Sequence, residues 1–363
     1  MKNAIWLLLS LMLCLVLCPQ VYAETYVEKD SVRYTADGKT VVSSGKQSGT
    51  VKIAEGATKI AKGAFCGSQL KALELPKSLQ KIEAGAFENC TRLRTIKVPG
   101  ENPYMVEKDG ALYTKNMKKL LYAGVAKGTL MLPKKTTQIA ADAFYGNTTV
   151  EMVFIQGKMK KLAKRSLAYS QIKDVTLPDS LREIEDGAFM ACKKLSDVEI
   201  PKGVKKIGAY AFEYCYELER VVLPEKLTTL EKQSFRYCYS LRNIKLPKNL
   251  RTIKAGAFED CGFNRLIIPK SIKSIGRNAL QVTTKKLIFE GKNIPKIAKQ
   301  NACELGEYDE EYADFDKGVV QLDYMDIIYR MPHGIGKIKV PAESTGMYKK
   351  ALKGKLEYQE LEY

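Results

Sequence analysis

The sequence predicts a parallel-stranded solenoid, an α/β fold rich in β, of about nine to ten coils. Three observations predict it. An aliphatic residue followed five positions later by a large apolar one recurs as Ile60/Phe65, Ile82/Phe87, Ile139/Phe144, Leu162/Leu167, Ile184/Phe189, Ile207/Phe212, Leu230/Phe235, Ile253/Phe258 and Ile275/Leu280. Prolines close the units at Pro76, Pro99, Pro133, Pro178, Pro201, Pro224, Pro247 and Pro269, mostly 22 or 23 residues apart. Short aliphatic triplets stand just before these prolines. A unit this small cannot bury its apolar face alone, so each must stack on its neighbours. Such a chain offers a surface, and the function it predicts is binding.

The unit from Pro201 to Pro224 shows the elements in order. Val204 and Ile207 put two apolar residues three apart. Ala209-Tyr210-Ala211-Phe212 then reads as one helical or 3₁₀ turn with Phe212 inward, and Cys215 and Leu218 follow at spacings of three. Val221-Val222-Leu223 is a strand, ended by Pro224, which has no N–H to donate to a ladder. Parallel stacking of these strands would leave their middle residues facing outward: Glu74, Lys97, Thr176, Glu199, Val222, Lys245 and Ile267. A partner could lie along that row.

The run Leu75-Pro76-Lys77-Ser78-Leu79-Gln80-Lys81-Ile82-Glu83-Ala84-Gly85-Ala86-Phe87-Glu88-Asn89-Cys90-Thr91-Arg92-Leu93, and its echoes from Pro178, Pro201, Pro224 and Pro247, closely resembles the BspA-type leucine-rich repeats of bacterial secreted and surface proteins. The resemblance covers residues 51–291. Lys339-Val340-Pro341-Ala342-Glu343-Ser344 with Tyr348-Lys349-Lys350-Ala351 is similar to that family's closing segment. It implies a leucine-rich-repeat solenoid with parallel strands and a role in adhesion to host proteins, other cells or glycans. It implies no catalytic residues.

Around the repeats the expected organisation is a signal peptide at 1–23, a capping hairpin at 24–50, and a C-terminal cap at 292–363. The leader is Lys2, the apolar run Ile5 to Leu17, and a Val21-Tyr22-Ala23 cleavage pattern, too short for a lasting span. A hairpin insertion at 100–131 stretches one period to 34 residues. Asp109-Gly110 between apolar alternations signals its turn, and Asp37-Gly38 repeats the device before the first coil. The insertion reads as a decoration of the solenoid edge, the other as an end cap. Strand-like Val319-Val320 and Ile327-Ile328 fall in the final segment. The expected location is extracellular or cell-surface.

Lys and Arg number 59 against 41 Asp and Glu, a formal +18. This balance favours acidic partners, such as anionic cell-wall polymers or sulfated glycans, or serves only to solubilise an elongated molecule. Lys pairs such as Lys134-Lys135 and Lys205-Lys206 are scattered over the units. Nucleic acid is not expected, because no recognition motif occurs and export removes the chain from it.

Seven cysteines follow the leader, and Cys192, Cys215, Cys238 and Cys261 recur at 23-residue steps. In-register parallel side chains rarely meet disulfide torsions, so free, buried thiols are expected. The single histidine, His333, has no nucleophile–base signature with Cys303, and no enzyme, metal or cofactor is predicted. The acidic run Glu304, Glu307, Asp309, Glu310, Glu311, Asp314 and Asp316 lacks calcium-loop spacing and reads as a solvated loop or, second, as a segment docked on the Lys-rich solenoid. The candidate contact surface is a tyrosine cluster, Tyr210, Tyr214, Tyr216, Tyr237 and Tyr239, beside Arg220, Arg236 and Arg242. Tyr214/Tyr237 and Tyr216/Tyr239 lie one period apart and should stack. Other coils hold Asn89/Thr91, Ala191/Lys193 or Asp260/Gly262 there, so the core needs no aromatic. Exposed Tyr beside Arg suits a protein or glycan ligand, host matrix proteins among them, although the rings could simply cover the turn. The other reading is an envelope component retained by charge on anionic polymers.

Overall fold

The computed structural model describes residues 26–44, 48–298, 334–353, 355 and 358–362. The expected leader, Cys303, the acidic run, both late strand-like pairs and His333 lie outside the described residues.

Each repeat contributes two rungs, each to its own parallel ladder. The strands before the prolines stack at the period: Asp197–Glu199 on Arg220–Val222, with Val198 opposite Val221 and Val221 opposite Ile244. Their exposed–buried–exposed pattern puts Val198 and Val221 in the core and leaves Glu199 and Val222 outward. The second ladder is made of two-residue strands, Lys161–Leu162, Glu183–Ile184 and Lys206–Ile207 among them. Sequence spacing showed these only as an apolar pair. Two residues are too few for a visible alternation, and the ladder exists because Val204 and Ile207 are both fully buried.

Between the short strand and Phe the expected helical turn is a series of hydrogen-bonded turns. Residues two before and two after Phe take left-handed φ: Tyr210 at 59° and Tyr214 at 61°, Gln233 at 53° and Tyr237 at 61°. Alternate amides then point to the next coil. Tyr210, Phe212 and Tyr214 donate to the carbonyls of Lys232, Ser234 and Arg236 at 2.9–3.0 Å, while Glu213 donates within its turn to Tyr210. A helix would satisfy all amides locally. This backbone spends half of them on the neighbour, so each coil is held by its next. Phe189, Phe212 and Phe235 stack beneath, with centroids 4.9 and 5.1 Å apart and planes within 8°.

The thiols form a polar ladder inside this core. Cys90, Cys192, Cys215, Cys238 and Cys261 each donate to the carbonyl of Phe65, Leu167, Phe189, Phe212 or Phe235 in the preceding coil, at 2.9–3.1 Å. Burial pushes Cys192 up to about 12, so the thiol keeps the proton it donates. Ser68 and Ser170 stand at the same position, 3.5 Å from Cys90 and Cys192. All six described cysteines are free; Cys66, beside its Phe rather than three after it, is exposed, contrary to expectation.

The insertion lies inside the molecule. Met105–Lys108, Ala111–Thr114 and Lys119–Tyr122 form an antiparallel meander whose last strand joins the parallel ladder at Gln138–Ile139. Tyr26–Lys29, Val32–Thr35 and Thr40–Ser43 do the same onto Lys59–Ile60. The two meanders are copies of each other. Val27-Glu28-Lys29-Asp30 returns 79 residues later as Val106-Glu107-Lys108-Asp109, and Tyr34-Thr35 as Tyr113-Thr114. Thr35 bonds Asp37, and Thr40 donates back to Thr35, as Thr114 bonds Asn116 and Lys119 donates back to Thr114. The register shifts at Arg33/Tyr34 and at Leu112/Tyr113 match as well.

The second copy divides the apolar interior into two cores. Met105, Leu112, Tyr122 and Val125 face the first, with the Tyr122 ring 4.7 Å from Phe87. Ala111, Tyr113 and Leu120 face the second, which runs on to Leu352. Position by position, buried Leu112 corresponds to exposed Arg33. A buried ion triad also crosses the junction: Arg165 binds Asp142 at 2.7 Å and Glu88, from the first block, at 2.8 Å. Leu112→Ala is therefore expected to cost about 2–3 kcal/mol and to split urea unfolding into two phases as the blocks uncouple. A single transition of unchanged steepness would show one undivided unit.

At the far end Gly334–Lys339 adds to Thr283–Phe289 in parallel, and Tyr358–Glu362 adds to it. The helix Thr345–Leu352 closes the core with Tyr348, whose hydroxyl donates to the Gly291 carbonyl at 2.7 Å.

Candidate ligand-contact surface

The tyrosines sit on the turn edge because of the left-handed residues just described. Tyr214 and Tyr237 occupy the position two after Phe, and their backbone directs the rings away from the core toward the same side. They stack at 4.9 Å with planes 15° apart. Tyr216 and Tyr239 stack at 5.3 Å. The two columns touch across the edge, Tyr214 to Tyr216 edge-on at 6.1 Å and Tyr237 to Tyr239 tilted at 5.9 Å.

Exposure within the cluster is uneven. Tyr210, Tyr214 and Tyr216 are half-buried, but Tyr237 and Tyr239 are only 7% and 8% exposed. Arg236 is buried as well, which corrects the expectation of an exposed Tyr–Arg surface there. Its guanidinium lies 4.4 Å from the Tyr237 ring centre and donates to the Tyr237 hydroxyl at 2.7 Å. It is also ion-paired with Glu259 at 3.0 Å and Glu213 at 3.5 Å. Arg236 is thus a support under the rings. Burial raises the Glu213 carboxyl to about 8, against the opposing pull of Arg236, and burial raises Glu259 too.

Arg220 and Arg242 belong to the sheet side. Arg220 pairs with Asp197 at 2.9 Å, and Arg242 donates to the Gly262 carbonyl at 2.9 Å. Both are exposed. The outward row lies on the sheet, apart from the aromatic columns, with Val222 41% exposed, Lys245 exposed and Ile267 half-buried.

Sequence spacing missed the extension of the aromatic edge. Tyr145 and Tyr169, three and two coils before Tyr214, lie 4.7 Å apart with planes tilted by 33°, Tyr145 buried under Arg165 and Tyr169 half-buried. Together with Ala168, Met190, Ala191, Tyr210 and Tyr214 they form an apolar cluster separate from both cores. Tyr169 stands two after Leu167, the register of Tyr214 and Tyr237, but the degenerate Ser166-Leu167 coil hid the match. Lys193 lies over Tyr216 and Lys232 over Tyr210. The edge therefore combines half-exposed phenol rings with cations held above them, a surface that can stack on planar or sugar faces and donate hydrogen bonds. Among the described residues, no group of three or more His, Cys, Asp or Glu converges to hold a metal ion. No helix among them is long and apolar enough to cross a membrane.

A model of the BspA-type leucine-rich-repeat region matches this chain over residues 44–120, 115–236 and 160–286, in six copies. The chain belongs to the BspA-type leucine-rich-repeat family. No curated protein matches it. Among solved structures, a leucine-rich repeat protein from Eubacterium ventriosum is 24% identical, with a TM-score of 0.50 over 64% of this chain. The match spans 63% of that protein's length. The pneumococcal vaccine antigen PcpA is 16% identical over 86% of this chain and 67% of its own, with a TM-score of 0.41. A leucine rich cell surface protein from Faecalibacterium prausnitzii is 18% identical over 74% of this chain and 95% of its own, with a TM-score of 0.35. BspA-type repeats thus account for the stacked coils over residues 44–286.

Proposed function

We propose that this BspA-type protein is exported and acts outside the cell as an adhesion or ligand-binding module, without catalysis, and that its turn edge takes a protein or glycan. One observation carries the reading. Paired Tyr columns occupy positions where the repeat accepts Asn, Thr, Ala, Lys, Asp or Gly, and their outermost rings, Tyr214 and Tyr216, are half-exposed. Rigid, pre-stacked aromatics lose little freedom on binding, which is why such residues dominate contact energies.

The test is a screen of mature protein against immobilised host matrix proteins and glycans, repeated with Tyr214→Ala combined with Tyr216→Ala. The double variant should bind its partner 10-fold or more weakly, since truncated anchors cost on the order of 2 kcal/mol. Its melting temperature should shift by only a few degrees, because neighbouring coils keep the fold with small residues at this register. Unchanged affinity with a large loss of stability would make the rings a cover for the turn.

A further inference from the structure

The period brings together cations that look scattered in the sequence. Lys160, Arg182, Lys205, Thr228, Arg251 and Lys273 immediately precede successive short strands. They are joined coil to coil by backbone bonds: Arg182 to the Lys160 carbonyl at 2.8 Å, Lys205 to Arg182 at 3.0 Å, Arg251 to Thr228 at 2.8 Å and Lys273 to Arg251 at 2.7 Å. All six are exposed. Five of the six are cationic, in a single file with steps of about 4.8 Å. Directly after the prolines beside the file stand exposed Lys202, Lys248 and Lys270, with exposed Asp179 and Glu225 at that position in the other two coils.

Elsewhere on these coils several cations pair with an acid one period away. Arg220 pairs with Asp197, Lys206 with Glu183, Lys254 with Glu231 and Lys194 with Glu217. The file itself differs: among the described residues, none of its five cations is ion-paired. Like charges this close repel one another, so the arrangement adds nothing to folding; its gain would come from a bound polyanion. The edge is open rather than a pocket, and the Arg182 fork is already committed to the carbonyls of Asp179 and Leu181. The file therefore offers mostly single-point charges, which suit one oxyanion per monomer better than planar, bidentate groups.

We propose that this proline edge, from Lys160 to Lys273, is a docking track for a linear phosphodiester polymer lying along the solenoid axis. The track is independent of the tyrosine edge. The experiment measures binding of full-length mature protein to immobilised poly(glycerol phosphate), with heparin as the comparison polymer. Neutralising Lys205→Gln, Lys248→Gln, Arg251→Gln and Lys273→Gln together should weaken binding to poly(glycerol phosphate) at least 10-fold at about 0.15 M salt. A control with the same net charge, Lys52→Gln, Lys71→Gln, Lys108→Gln and Lys127→Gln, should stay within about twofold of wild type, because bound phosphates report only the cations they touch. The Tyr214→Ala Tyr216→Ala protein should bind the polymer like wild type. An equal loss in the control, or no loss in the edge variant, overturns the track. Heparin binding at least 10-fold tighter than the phosphodiester polymer overturns the choice of partner.

Discussion

Replacing Arg236 with Met is expected to cost about 3–5 kcal/mol at pH 7, among the largest effects of any single change in this chain. Arg236 is 3% exposed between Glu213 and Glu259, themselves 4% and 5% exposed. Without it, Glu213 and Glu259, both raised by burial, lose the cation between them, and any charge they carry is buried without it. The loss should be smaller at pH 5 than at pH 8, because a protonated carboxyl leaves no buried charge. The wild-type protein carries a milder form of the same dependence. Glu213 has a folded value of about 8 against an ordinary 4.5, so between these the folded state binds more protons than the unfolded one. Its contribution is favourable below about 4.5 and is lost as pH rises toward 8. Urea titrations at pH 5 and pH 8 check both statements. A penalty for Arg236→Met that is equal at the two pH values would contradict the buried-charge account.

Phe212→Ala is expected to cost about 3–5 kcal/mol as well, for a different reason: it opens a cavity in a stack that cannot collapse. Phe212 is fully buried and faces Phe189 and Phe235 at 4.9 and 5.1 Å. Coils couple only to neighbours, so amide exchange should quicken most in the units holding Phe189, Phe212 and Phe235 and little at Phe65. Even loosening from residue 51 to 291 would contradict that locality.

Much of this architecture was legible because a repeat states each fact many times. The Ile/Phe spacing and the prolines placed most of the coils, missing the rungs at Thr40–Ser43, Lys119–Tyr122 and Lys296–Ile297, and the cross-coil pairing of Val198, Val221 and Ile244 is the one the period required. The short-strand ladder was not legible, since Lys206–Ile207 has only two residues. Nor was the turn geometry: Tyr214, Tyr237 and Ala191 adopt left-handed φ that no side-chain preference announces, imposed by the amides shared with the next coil. The Asp109-Gly110 hairpin was readable, but its burial was not, because covering both faces depends on Leu112 standing where the first copy has Arg33. In the candidate site the stacking of Tyr214 on Tyr237 followed from the period. The burial of Arg236 did not, because acids one coil away on either side, Glu213 and Glu259, drew it inward.

The central claim is that a partner is held on the aromatic turn edge. The most direct test is hydroxyl-radical footprinting of the complex with whichever partner the screen captures, compared with the free protein. The account predicts protection concentrated on Tyr169, Tyr210, Tyr214 and Tyr216, with Val222, Lys245 and Ile267 unchanged. Protection of that sheet row with the tyrosines still reactive would place the contact on the other face and contradict it.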